Sequence, residues 1–495
     1  MGRRMKKEPG AGMLSLLLAA ALMTAAGCIN PLSEKVEEDE KRVGAEAILG
    51  APAVNVPAGS DMTAHERLVL LFAESIDTGT LKLGGDLAAV AEVAWSQTSF
   101  ADDTLTLDPA AGQLWPEGSG QTLTVSCTAD SGKSLSGHIL SYTVFRGVCV
   151  SSSIDPDNPG NPATPGTRDL PLSVVQDGID EAAGLYIQSA GDAAEVRVAD
   201  GTFQVACNTG TPLYAADMVE GVDLKGGYDS NFTVRNPGSY VTLLEDTSSS
   251  GGGETTPVCL VYCDSSITTA TEISGLTLLI GKGAGGGEAH CGIYCDQGNP
   301  TILEVTVQGR SGTEAGLFAE GLLLRGSAAA ISGCSVDPGE SKGESSGIYC
   351  IQGSAPSISG CTISGGSGIN TYAVRVENSS AGTITGSTLN GGSWNTGSGS
   401  GYCLRVYNST PAVSGNTFAY ASSLHWQTYG VYEATADSDP ALVRDNHFAY
   451  DGYWYYDEAA DLVQKTNYDT PVSTGEGTAE LFDPAGWNNT AVGVP

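Results

Sequence analysis

Apolar and polar positions recur along the second half of the chain in a pattern with a definite period. The segment Gly347-Ile-Tyr-Cys-Ile-Gln-Gly-Ser-Ala-Pro-Ser-Ile-Ser-Gly-Cys-Thr-Ile363 has relatives at Leu260-Val-Tyr-Cys263, Gly292-Ile-Tyr-Cys295 and Gly321-Leu-Leu-Leu324 before it. After it come Ala373-Val-Arg-Val376, Cys403-Leu-Arg-Val406 and Gly430-Val-Tyr-Glu433. From Gly292 the starts lie 29, 26, 26, 30 and 27 residues apart, and each is followed by a second apolar segment such as Ile331-Ser-Gly-Cys-Ser-Val336. The spacing predicts two short strands per repeat with no helical segment between them. Neither strand can bury an apolar side alone; stacking successive coils buries a continuous core, and loops of unequal length leave from one edge. The reading is a parallel β-helix over residues 195–448.

Alternation within a strand assigns faces. One inward column runs Val261, Ile293, Leu322, Ile348, Val374, Leu404, Val431, and a second runs Cys263, Cys295, Leu324, Cys350, Val376, Val406, Glu433. In the other strand the column Leu276, Val305, Cys334, Cys361, Ser387, Asn416, Asn446 predicts side-chain ladders. Facing outward are Tyr262, Tyr294, Leu323, Tyr349, Arg375, Arg405 and Tyr432. Stacked aromatic rings and guanidinium planes on a flat face suit sugar rings, so Tyr262, Tyr294, Tyr349, Arg375, Arg405 and Tyr432 form a candidate ligand-binding stripe. The plain alternative is that like residues stack well in a parallel ladder. Cys259 with Cys291, and Cys263 with Cys295, hold matching positions on neighbouring rungs; they are either disulfides or stacked free thiols.

Before the repeat, residues 65–150 alternate short apolar runs with turn signals, among them Leu68-Val-Leu-Leu-Phe72, Thr104-Leu-Thr-Leu107 and Leu140-Ser-Tyr-Thr-Val-Phe145. This predicts a small β-sandwich, within which Cys127 and Cys149 are candidates to pair. Residues 151–168 are rich in Pro, Asn, Asp and Gly and read as a linker; Asp155-Pro-Asp157-Asn158 falls short of a calcium-loop pattern, so calcium is unsupported and no other cofactor is implied. Residues 169–194 predict an amphipathic capping helix and the entry to the coil. Residues 449–495 form a C-terminal cap and tail, with Tyr450, Tyr453, Trp454, Tyr455 and Tyr456 placed to close the end of the core.

The N-terminus reads as an address. Arg3, Arg4, Lys6 and Lys7 precede an apolar run from Met13 to Met23, too short to span a bilayer, and Thr24-Ala-Ala-Gly-Cys28 follows. This resembles the lipobox of bacterial lipoproteins, with Ala25 where Leu is usual. The resemblance implies a signal peptide over 1–27, lipid attachment at Cys28, and an outer-membrane lipoprotein of the bacterial cell envelope; the mixed-charge and then small-residue composition that follows reads as a tether over 28–64. The net charge of −34 argues against nucleic acid and against polyanionic glycans.

Two further resemblances bear on fold. Phe72-Ala-Glu-Ser-Ile76 and Asp102-Asp-Thr-Leu-Thr-Leu107 resemble bacterial Ig-like domains, which mostly act as spacers. The amphipathic stretch Thr167–Ala183, Val196-Arg-Val-Ala-Asp-Gly-Thr-Phe203 and Lys225-Gly-Gly-Tyr-Asp229 resemble the opening of pectin-lyase-like right-handed β-helix proteins, and more narrowly an uncharacterised bacterial envelope family. That superfold hosts lyases, hydrolases, adhesins and inert stalks, so it implies no single activity. The motifs of its polygalacturonase-like members are not found in the repeat; Asp296, Glu304, Glu320, Glu377 and Glu433 fall on different columns, and His290, His425 and His447 lack metal-ligand spacing. No catalytic constellation is read. The leading expectation is a non-enzymatic, envelope-anchored protein for display or for binding a glycan or surface protein. The alternative is a polysaccharide lyase or glycoside hydrolase, which a groove with convergent carboxylates would favour.

Overall fold

The computed structural model describes residues 48–449, except 153–165, 169–170, 189–192, 208–212, 249–256, 282–288, 311–317, 395–398, 420–426, 436–437, 439 and 441, and then the strands Tyr453–Asp457, Leu462–Gln464, Val472–Ser473 and Thr490–Ala491. Cys28, the leader and Asp155-Pro-Asp157-Asn158 lie outside the described residues.

Each turn of the repeat is built from three strands rather than the two that alternation suggested. What read as one second strand is two, as in Ala330–Ser332 and Ser335–Asp337, with a corner between them at Gly333 and Cys334. The corner needs left-handed backbone: φ is +63° at Gly333, +60° at Gly360, +56° at Gly386 and +66° at Gly415. Glu304 and Asp445 hold the same corner with φ of +52° and +55°, where L side chains are rarely comfortable.

The strands stack in parallel into three sheets of ten, ten and eleven strands. The first begins at Gly147–Val150 and continues with Ala194–Ala199; the second begins at Gly201–Val205, and the third at Leu213–Asp217. The fold is an all-β parallel β-helix. The alignment of the repeat is reproduced in register: Val261 pairs with Ile293, Ile293 with Leu322, Leu322 with Ile348, Ile348 with Val374, Val374 with Leu404, and Leu404 with Val431. All seven are buried in the interior of the coil, as are Cys334 and Cys361. At the next positions of that corner column Asn416 donates from Nδ2 to Asn446 Oδ1 at 3.1 Å and to the Ile384 carbonyl at 2.8 Å, and its own Oδ1 accepts from the Ser387 N–H at 2.9 Å. The side-chain ladder therefore supplies acceptors for the Ser387 and Asn416 N–H groups at the corner, while their carbonyls accept from the backbone of the next rung.

The helix Val175–Gln188 places Val175, Ile179, Ala182 and Leu185 on one face, against Val148, Val150 and Val196 at the start of the coil. Gly178 permits the close approach, since a Cβ there would meet Val150 Cγ2 at 2.6 Å. At the other end Tyr453–Asp457 adds a further parallel strand, and Leu462–Gln464 and Val472–Ser473 follow antiparallel.

Residues 48–145 form two four-stranded sheets around one core that includes Leu68, Leu70, Leu105, Leu107, Trp115 and Leu123. Ala53–Val54 and Asp61–Thr63 belong to these sheets, although composition assigned residues up to 64 to a tether. At the other boundary, Gly147–Val150 pairs in parallel with Ala194–Ala199 and so belongs to the coil. Cys127 lies in the sandwich core and Cys149 in a separate cluster with Ala199, Tyr228 and Phe232. Asp103 is buried, and its carboxylate accepts N–H bonds from Thr98, Ser99 and Phe100 that hold the loop before it.

Candidate functional site

The outward stripe is in register along the third sheet: Tyr262, Tyr294, Leu323, Tyr349, Arg375, Arg405 and Tyr432 are successive cross-strand partners. A second outward column lies beside it, running Tyr214, Cys259, Cys291, Glu320, Ser346, Tyr372, Tyr402 and Tyr429. Strict alternation would point these residues inward. The chain instead turns two consecutive residues toward the interior: the apolar residue and the one before it, which is Leu260, Ala373 or Cys403 on some rungs and a glycine such as Gly321 or Gly347 on others. A Cβ on Gly321 would meet Val336 Cγ1 at 2.2 Å, and one on Gly347 would meet Ile363 Cγ2 at 2.4 Å, both inside the core. This reversal puts Glu320 on the same face as the tyrosines.

The two columns divide into three regions. Toward the start of the sheet Tyr262 packs between Tyr214 and Tyr294, with ring centroids 5.5 Å apart on each side. Cys259 and Cys291 lie beneath these rings, while Cys263 and Cys295 face the core. All four are thiols, in register in their pairs. Burial, and then the neighbouring thiol, hold Cys263 and Cys291 well above the ordinary thiol value. Toward the far end Tyr372, Tyr402 and Tyr429 stack at 5.0 and 5.2 Å, with Tyr432 edge-on to Tyr402 and Tyr429. Tyr262 and Tyr432 therefore spend their faces on neighbouring rings.

Between these stacks a cavity of about 380 Å³ opens on the sheet, lined by Tyr294, Phe318, Glu320, Leu323, Arg325, Glu344, Tyr349 and Arg375 among others. Its floor is an ion-pair network. Arg375 donates from Nε to Glu377 Oε1 at 2.7 Å and from Nη1 to Glu344 Oε2; Arg405 also donates to Glu377. The Tyr349 hydroxyl donates to Glu377 Oε2 at 3.0 Å, and the Tyr372 hydroxyl to Glu344 Oε1 at 3.1 Å. The Arg375 guanidinium lies 4.5 Å from the Tyr349 ring centroid and 5.0 Å from that of Tyr372, a cation–π arrangement that fixes its plane. Burial works against ionisation of Glu377, but Arg375 and then Arg405 and the Tyr349 hydroxyl hold its carboxyl below the usual range.

Glu320 differs from the other two. It is only 7% exposed, and its Oε2 is buried with no hydrogen-bond partner. Burial, which Arg375 only partly counters and which Glu344 and Glu377 reinforce, pushes its carboxyl up to about 7. Of the predicted stripe, Tyr294, Tyr349 and Arg375 line the cavity, while Arg405 lies outside the lining and is tied to Arg375 through their shared partner Glu377. The carboxylates judged scattered are not: Glu320 and Glu377 converge with Glu344 around Arg375, a grouping that alternation concealed. Glu344 is the cross-strand partner of Phe318 and carried no signal of its own in the sequence. Glu304 and Glu433 lie elsewhere, at a corner and on the inward column. Among the described residues no group of three His, Cys, Asp or Glu side chains is placed to hold a metal ion.

The fold defines a right-handed β-helix. A family model described as "right handed beta helix region" matches residues 320–462. Several solved structures are similar at low sequence identity. The tailspike protein of E. coli bacteriophage HK620, solved in complex with a pentasaccharide, is 12% identical over 62% of this chain and 63% of its own, with a TM-score of 0.32; the chain thus spans less than two thirds of that protein. An alginate lyase from Paenibacillus sp. str. FPU-7 is 15% identical over 63% of this chain and 95% of its own, with a TM-score of 0.26. The mannuronan C-5 epimerase AlgE6 A-module of Azotobacter vinelandii is 12% identical over 64% and 93%, with a TM-score of 0.27. No curated protein matches the chain.

Proposed function

We propose that this chain is an exported, envelope-anchored protein whose β-helix presents a saccharide-binding cavity on the outer face of the third sheet. The observation that carries the reading is the cavity between the tyrosine stacks. Its volume of about 380 Å³ falls in the range of small-molecule sites, about 300–1,000 Å³. Leu323 and Tyr349, both half-buried, supply apolar surface and a ring edge for sugar C–H groups, Tyr294 is buried behind them, and Glu320, Glu344 and Arg325 supply hydrogen-bonding groups at its wall. Arg375 is held by two carboxylates and two rings, so the floor keeps its shape without a ligand. The leader and Cys28 support export and lipid attachment, with the sandwich as a spacer.

Binding is favoured over cleavage because Glu344 and Glu377 are both committed to Arg375, which leaves one uncommitted carboxyl where glycoside hydrolysis uses two. The second reading, hydrolysis or elimination of a polysaccharide, draws on Glu320: a carboxyl near 7 is suited to general acid work. A glycan array followed by product analysis on every hit separates the two. Retention without cleavage is the expected result; new reducing ends or unsaturated products would establish the enzyme, and a blank array would remove both. Lipid attachment is checked separately, since Cys28→Ala is expected to move the protein from the membrane to the soluble fraction and to end its labelling by fatty acid.

A further inference from the structure

The lining residues Glu320 and Glu344 match Arg325 and Arg375 in number, but once the ion-pair partners Asp296, Glu377 and Arg405 are counted one carboxyl is in surplus. Asp296, Glu320, Glu344 and Glu377 stand against Arg325, Arg375 and Arg405. Arg325 lies 3.9 Å from Asp296, while Arg375 and Arg405 are taken by Glu344 and Glu377. One carboxyl is left over, and it is Glu320, a lining residue that is only 7% exposed and whose buried Oε2 has no partner, so a ligand group would have to shift the side chain slightly to reach it.

We propose that the cavity selects an amine-bearing saccharide, a glucosamine-type unit whose ammonium group pairs with the Glu320 carboxylate. This rests on the saccharide-binding reading and names its substrate class. A sugar hydroxyl would satisfy the hydrogen-bonding capacity of Oε2 but would do nothing to favour its charged form, which burial opposes up to about pH 7. An ammonium answers both, with a charge-assisted hydrogen bond in a site where Coulomb attraction is little screened. A sugar carboxylate would add a like charge beside Glu320 and Glu344. The field of the whole chain acts in the same direction, because a net charge of −34 concentrates cationic polymers and repels uronates at long range. The apolar wall is indifferent to the substituent and would bind either sugar weakly, which leaves Glu320 as the discriminating group.

The test is calorimetric titration of the full chain with three oligosaccharides of equal length: glucosamine, N-acetylglucosamine and galacturonate oligomers. Glucosamine oligomers are expected to bind roughly 10- to 100-fold more tightly than their N-acetylated counterparts, the usual span for one buried charge-assisted contact. In Glu320→Gln that preference should vanish. The comparison of oligosaccharides on the unaltered protein needs no variant and so does not depend on the variant folding. Tighter binding of the N-acetylated or uronate oligomer, or an unchanged preference in Glu320→Gln, overturns the amine assignment and leaves the saccharide reading standing. No binding of any of the three, together with a blank array, removes both.

Discussion

At the scale of single residues, Glu320 makes stability depend on pH in an unusual direction. It faces Arg375, Glu344 and Glu377, with Tyr349 and Cys291 also within its electrostatic reach. Its folded value of about 7 lies above the ordinary 4.5, so the folded state holds its proton more tightly than the unfolded chain does. The contribution is fully present below about pH 4.5 and is lost as pH rises through about 7. A shift of that size corresponds to about 3 kcal/mol. Glu320→Gln should therefore gain about 3 kcal/mol relative to the unaltered protein between pH 4.5 and 8, measured by denaturant unfolding across that range. A difference between the two proteins that stays constant with pH would contradict the assignment. The same residue shows where sequence reading stopped. Period-two alternation counts correctly as long as every residue takes its turn on a face. It loses parity at Gly321, where two consecutive residues face inward, and every position before the glycine is then assigned to the wrong side. The visible signal was the aromatic run Tyr372, Tyr402, Tyr429 two positions before Val374, Leu404 and Val431, which makes no sense as a core column beside them.

At the scale of the element, the rung is defined by its glycines and its corner ladder, and the two kinds of glycine act differently. Gly321 has ordinary backbone but no room, since a Cβ would press on Val336 Cγ1 at 2.2 Å and on the Gly347 carbonyl at 2.4 Å. Gly360 has room, with nothing within 4 Å of an added Cβ, but needs φ of +60°. Gly360→Ala should thus destabilise by about 1 kcal/mol, the strain of a left-handed L residue, and Gly321→Ala by roughly 3 kcal/mol, because backbone must move. Equal effects in thermal or denaturant unfolding would show that the two positions are not constrained as described. The Asn ladder gives a second case. Asn416→Ala would strip the Ser387 N–H and the Ile384 carbonyl of partners inside the coil, and a loss of about 2–4 kcal/mol is expected. A loss below about 0.5 kcal/mol would mean that water enters the corner and replaces the amide. The inward columns were legible in the sequence because burial repeats one residue type per rung. The split of the second strand was not, because a corner and a strand interior read alike when Ser, Gly and Cys fill both.

At the scale of the whole molecule, the question is whether the sandwich is a loose spacer or a rigid extension of the coil. The chain leaves the sandwich in Ser134–Phe145 and enters the first sheet of the coil at Gly147–Val150, with Arg146 alone between them. Arg197, on the next strand of that sheet, is 8% exposed and reaches back across the junction. Its Nη1 lies 2.8 Å from Asp61 Oδ2 in the sandwich, its Nε pairs with Glu195, and its guanidinium lies 3.4 Å above the Phe145 ring. Leu114 packs against both cores. Burial alone would lower the Arg197 guanidinium, but Glu195 and then the other neighbours raise it, so the charge is retained inside the junction. Removing one partner from a fully buried pair commonly costs about 3–5 kcal/mol, and the loss for Arg197 is smaller because Asp61 is partly exposed and Glu195 keeps Lys225. Here the loss falls on the joint between two cores that are otherwise separate. The unaltered protein should therefore unfold in one calorimetric transition, with sandwich and coil melting together. Arg197→Ala should resolve two transitions, the lower belonging to the sandwich, whose core is the smaller. Two transitions already present in the unaltered protein would show that the joint does not couple them, and the sandwich would then act as a flexible spacer.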